Sequence, residues 1–71
     1  MIKLGKYRHF KGNEYLVIAV AKHSETLEDF VVYQALYGEM GIWVRPATMF
    51  GEQVEVAGQT IKRFAYIGEQ E

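Results

Sequence analysis

The sequence predicts an all-β fold: a small SH3-like barrel of five to six short antiparallel strands, with one helical turn near residues 46–50, filling residues 1–71 as a single small β-barrel domain. Three observations predict it. Runs rich in β-branched and aromatic residues, such as EYLVIAVAK, FVVYQALY and TIKRFAYI, recur along the chain, and these residue types fit a pleated, half-buried surface. Glycines stand between the runs, where turns are needed. The composition, 49% hydrophobic and 14% aromatic with 24% charged, marks a folded domain rather than a disordered tail. Curling such a sheet shut removes most of its exposed edges; an open sheet completed by dimerisation is the structural alternative.

Taken in order, YRHFKGNEYLVIAVAK reads as a hairpin with Gly12-Asn13 as its two-residue loop, since glycine at the first loop position suits a type II′ turn. That register sets Lys11 opposite Glu14 and Phe10 opposite Tyr15. HSETLED follows as a polar connection in which Ser24 or Thr26 binds backbone amides. Thr26 with Asp29 could also cap a helix, but the β-branched and aromatic density of FVVYQALY favours a strand. GEMG then serves as a four-residue hairpin loop, IWVR as the next strand and PATMF as a helical turn opened by a proline at N1. VEVAGQTIKRFAYI closes the chain as a second hairpin around Gly58-Gln59, with Val56 facing Ile61 and Glu55 facing Lys62.

A GEMG loop sorts the central strands into two faces. Val31, Tyr33, Ala35, Tyr37, Ile42 and Val44 form one, nearly all apolar and expected to be the core. Phe30, Val32, Gln34, Leu36, Trp43 and Arg45 form the other, an indole beside a guanidinium and an amide. A guanidinium is rarely buried without a partner, and Trp and Arg are enriched where binding energy concentrates. Trp43, Arg45 and Gln34 are therefore candidate binding residues.

Composition narrows the function classes. A chain of 71 residues hides only about 60% of its unfolded surface, so its core is thin. No cysteine is present to form a disulfide framework or a thiolate metal cage. No run approaches signal-peptide or membrane-spanning length, so a cytoplasmic location and no membrane partner are expected. The net charge of −1 lacks the basic footprint of a nucleic-acid binder, although the first 23 residues hold most of the lysines.

Three segments resemble chemical motifs without their geometry. His23-Ser24-Glu25 holds the residue types of a hydrolytic triad, but adjacent residues seldom aim at one point. His9 and His23 with Glu25 lack any metal-ligand spacing. The glycines are scattered at turns and build no phosphate loop. No catalytic residue, metal or cofactor is expected.

YRHFKGNEY, HSET, VVYQALYG, WVRPATMF and RFAYI, in this order, resemble the bacterial domain-of-unknown-function family numbered 1653, from about Gly5 to Ile67. The resemblance implies a small, mainly β, intracellular bacterial domain and brings no known reaction, cofactor or substrate. It also singles out positions. Packing explains its aromatic residues, and the turn explains Gly12; the polar positions Arg8, His9, His23, Glu25, Arg45 and Arg63 have no such structural reason. The expectation is a non-enzymatic binding module that takes a protein segment or a small anionic ligand at an aromatic and arginine surface. A homodimer through the same face is the alternative, and a single-stranded nucleic-acid platform the third reading.

Overall fold

The computed structural model describes residues 2–68. Seven strands, two more than the lower expectation, are joined by one short helix: β1 (Gly5–His9), β2 (Glu14–Lys22), β3 (Asp29–Ala35), β4 (Ile42–Pro46), α1 (Ala47–Phe50), β5 (Gln53–Val56), β6 (Gln59–Lys62) and β7 (Phe64–Gly68). Five of them form one antiparallel sheet in the order β4-β3-β2-β1-β7, and β5 pairs with β6 in a second, two-stranded sheet. The small all-β expectation holds, with its helical turn at Ala47–Phe50. Barrel closure is not found: among the described residues no pairing joins β4 to β7, which remain the two edges of the larger sheet.

Each hairpin expected by sequence forms, but none has the expected register. In the first, His9 N–H donates to Asn13 O at 2.7 Å and Gly12 N–H to His9 O at 2.7 Å, which leaves a three-residue loop, Phe10-Lys11-Gly12. Gly12, at φ +107°, supplies the positive φ that three-residue hairpins place last. Tyr7 thus faces Tyr15, and Glu14 pairs with Arg8 at 2.9 Å rather than with Lys11. In the last hairpin the loop is Ala57-Gly58, at φ +53° and +80°, a type I′ pattern. Val54 therefore faces Ile61, and Glu55 faces Thr60.

The central hairpin differs most. Leu36 N–H leaves β4 and donates to Glu14 O of β2 at 3.0 Å, while Ala35 N–H takes Gly41 O at 2.9 Å. The loop thus runs over residues 36–40, with Gly38 and Met40 both at φ +59°. Tyr33 then pairs with Trp43, Val31 with Arg45 and Val32 with Val44. This three-residue offset inverts the faces of β4. Trp43 and Arg45 share the inner face with Val31 and Tyr33, whereas Ile42 and Val44, expected in the core, lie outside and are each 61% exposed. Tyr37, also expected inside, is exposed.

The core is Tyr7, Val17, Val31, Tyr33, Phe50 and Phe64, with Ala35 buried beside it. Pro46 acts as the N-cap of α1 rather than its first residue, and the turn drops Phe50 onto the sheet. There Phe50 stacks on Phe64 at 4.2 Å and 6° and meets the edge of Tyr7 at 5.2 Å. Aromatic pairs of this kind each add about 0.5–1.5 kcal/mol beyond burial.

A bulge in β2 between Val17 and Ala19 inserts Ile18 as an unpaired residue. Beyond it, Val20 faces Val31, and Lys22 is bonded to Asp29 at 2.7 Å. This arm, with Ile2, Leu4 and Ala47, walls an apolar hollow of about 760 Å³.

Candidate functional site

The inner face beside Phe64 gathers two of the eight candidate residues, His9 and Arg45, and a third, Arg63, lies near enough for its charge to act on His9. The inverted register of β4 brings Arg45 there. Its guanidinium lies 6.0 Å from the centre of the Phe64 ring, and its Nε donates to the Tyr33 hydroxyl at 3.4 Å. His9 is paired with Phe64 across β1 and β7, with the two rings 4.9 Å apart. Arg63 occupies the one-residue joint between β6 and β7. Its main chain links the two sheets: Arg63 N–H donates to Glu52 O at 3.0 Å, and Phe10 N–H donates to Arg63 O at 2.9 Å.

Tyrosines floor and rim this cluster. Tyr15 sits edge-on to Tyr33 at 5.4 Å, to Phe64 at 5.6 Å and to Tyr37 at 5.6 Å, and its hydroxyl shares a 2.7 Å hydrogen bond with that of Tyr37. Burial, the Tyr37 hydrogen bond and neighbouring phenols push the Tyr15 hydroxyl up to about 12, so it remains a neutral donor or acceptor. His9 titrates below the ordinary imidazole range. Burial is the main cause, and the charges of Arg63, Lys11 and Arg45 add to it. Its Nδ1 already accepts the Lys11 N–H at 3.2 Å.

The guanidinium donors are largely unspent. Among the described residues, Arg45 forms no ion pair, and the Arg63 contact to Glu52 is long, at 3.7 Å. Arg63 Nε is buried with no hydrogen-bond partner. A buried donor left this way costs about 1–3 kcal/mol. An arginine fork matches carboxylate and phosphate oxygens.

The other candidates lie elsewhere. Trp43 is on the inner-face parity but at the sheet edge, 60% exposed, with its indole nitrogen packed towards Gly41. Gln34 points outward, and its amide donates to Met40 O at 3.0 Å, tying the loop. Arg8 is on the outer face, paired with Glu14. His23 and Glu25 belong to the distal loop, where His23 Nδ1 accepts the N–H groups of Glu25 and Thr26 at 3.1 and 3.3 Å. Thr26 Oγ1 accepts the Glu28 N–H at 3.2 Å, the backbone-binding role expected of this segment. No cluster of three potential metal ligands occurs among the described residues.

Sequence reasoning missed Tyr15 and Phe64 as parts of the site. Their signal was register: once Tyr15 faces Tyr7 and Ala35, the odd-numbered aromatics of β2 and β3 align on one face.

Comparison with known proteins places this arrangement in a family. Residues 5–66 match the family described as protein of unknown function (DUF1653). The fold is similar to the crystal structure of a DUF1653 protein from Bordetella bronchiseptica, with a TM-score of 0.88 and 36% identity over 99% of this chain and 92% of that one. No curated protein matches the chain. An aromatic inner face carrying an arginine and a histidine, with a second arginine near it, is thus set in a fold shared almost end to end with that relative, and the chain belongs to the DUF1653 family.

Proposed function

We propose that this chain is a non-enzymatic binding module whose inner face takes a carboxylate or phosphate group, borne by a small anionic ligand or a protein segment. One observation carries the reading: Arg45 beside Phe64 and Arg63 near His9 form, among the described residues, no ion pair but the long 3.7 Å contact of Arg63 with Glu52, and Arg63 Nε has no hydrogen-bond partner. Arg45 and Arg63 supply the charged donors, His9 contributes its Nε2–H, the tautomer set by Nδ1 accepting the Lys11 N–H, and Phe64 with Tyr33 supplies a rigid apolar floor. Water is partly excluded at such a floor, so each charge-assisted bond is stronger than on an open surface. A cytoplasmic setting suits a chain with no cysteine to oxidise.

Nuclear magnetic resonance titration with inorganic phosphate and with citrate, against sodium chloride at matched ionic strength, tests the proposal. Saturable shifts confined to His9, Arg45, Arg63 and Phe64 are expected. Shifts that track ionic strength alone refute it. A parallel titration with labelled single-stranded RNA and DNA at about 50 mM salt decides the nucleic-acid reading, which requires binding that weakens steeply as salt rises.

A further inference from the structure

The β4 edge carries an inference independent of the anion site, because it uses main-chain groups that the arginines leave free. Ala35 N–H bonds to Gly41 O, and hydrogen-bonded pairs recur at every second residue of an antiparallel ladder. Trp43 and Arg45 therefore spend their main-chain groups on β3, while Ile42 and Val44 turn theirs to the open side. Pro46, which has no N–H, falls on that open side too and costs the sheet no bond.

Open edges are ordinarily blunted by a lysine, a bulge or a cover. The edge at β7 is broken in this way: its pairing with β1 slips between Lys6 and Tyr7, and Gly68 sits at φ +143°. Among the described residues, the edge at β4 is guarded only towards its end, by Pro46 and the inward-facing Arg45, which leaves Ile42, Trp43 and Val44, three consecutive apolar residues exposed at 61%, 60% and 61%.

We infer that β4 pairs antiparallel with β4 of a second copy of this chain, about a two-fold axis at Trp43. The Ile-Trp-Val run is self-complementary about that residue. A two-fold axis sets Ile42 opposite Val44 of the second copy, and each such pair exchanges two main-chain hydrogen bonds. The two Trp43 side chains meet at the non-hydrogen-bonded position, where Cα atoms approach to about 4.5 Å. On the outer face, the Ile42 and Val44 side chains of both copies form one apolar strip. Arg45 falls opposite Gly41 of the second copy, so no like charges oppose each other. One strand pair covers less than the roughly 800 Å² per partner of a standard interface, so the association is reversible rather than obligate.

The test uses the full chain and its one tryptophan as the reporter. Sedimentation velocity from micromolar to millimolar concentration is expected to show a monomer–dimer equilibrium, with Trp43 emission shifting to the blue as dimer forms. Val44→Pro removes a donor that faces away from β3, so the fold is kept and association falls about tenfold or more. Should that variant unfold, Ile42→Lys decides instead, placing a charge on the edge without touching the main chain. A wild-type protein that is monomeric at millimolar concentration overturns the inference. So does a dimer that forms with unchanged Trp43 emission or survives Ile42→Lys, or a monomer whose edge instead captures an unrelated extended peptide.

Discussion

Replacing Arg45 by methionine separates a binding role from a structural one, since methionine keeps most of the apolar stem and deletes only the guanidinium. Two contacts are lost. The Nε donation to Tyr33 is long, at 3.4 Å, and the ring of Phe64 lies 6.0 Å away, at the outer limit of a cation–π contact. Neither reaches full strength, so the expected destabilisation is at most about 1 kcal/mol. In a domain of this size, that lowers Tm by about 4–8 °C. Binding should suffer more, because a charge-assisted hydrogen bond contributes about 1.5–3 kcal/mol, or roughly ten- to hundredfold in Kd. Calorimetric unfolding and phosphate titration of the same sample measure both quantities. A Tm loss beyond about 15 °C with unchanged phosphate affinity would exclude a binding role and make Arg45 a structural residue.

Two further outcomes follow from the titrating groups. The His9 pKa is held below its unfolded value, so the unfolded chain binds the proton first and stability declines as pH falls through about 6.5 towards the folded pKa. His9→Gln should flatten this acid limb in pH-dependent thermal melts, and an unaltered limb would assign it to other groups. The Tyr15 hydroxyl, at about 12, has its pKa raised on folding, so stability is complete below about pH 10 and declines above it. Tyr37→Phe removes the 2.7 Å hydrogen bond and should bring the latest phenol ionisation to lower pH in ultraviolet titration; an unmoved last step would mean that burial alone sets it.

Which segments become strands was legible, because β-branched and aromatic runs punctuated by glycine leave few other choices. Loop length was not. Gly12, Gly38 and Gly58 were visible as turn residues, but their place within each turn depends on where neighbouring N–H groups find acceptors. The central loop shows the difficulty: Ala35 N–H closes it on Gly41 O while Leu36 N–H continues the ladder to Glu14 on β2, so the loop holds five residues where GEMG suggests four. That closure reverses which side chains of β4 point inward. The polar residues of the site were legible by type, whereas Arg45 reaching Phe64 rests on the loop length. Arg8 and Gln34, equally prominent by type, are taken up by Glu14 and by a loop carbonyl.

Ile18 bears on shape rather than on partnership. The ladder resumes past it with Ala19 against Val32 and Val20 against Val31, so excising this one residue would leave the pairing of β2 with β3 the same. What would go is the added twist that such an insertion puts into a strand. The outer arm would straighten, its tip would swing clear of the segment holding Ile2 and Leu4, and the greasy trough between them would spread into a shallow dish. Curvature in this fold is therefore written in a side chain that pairs with nothing.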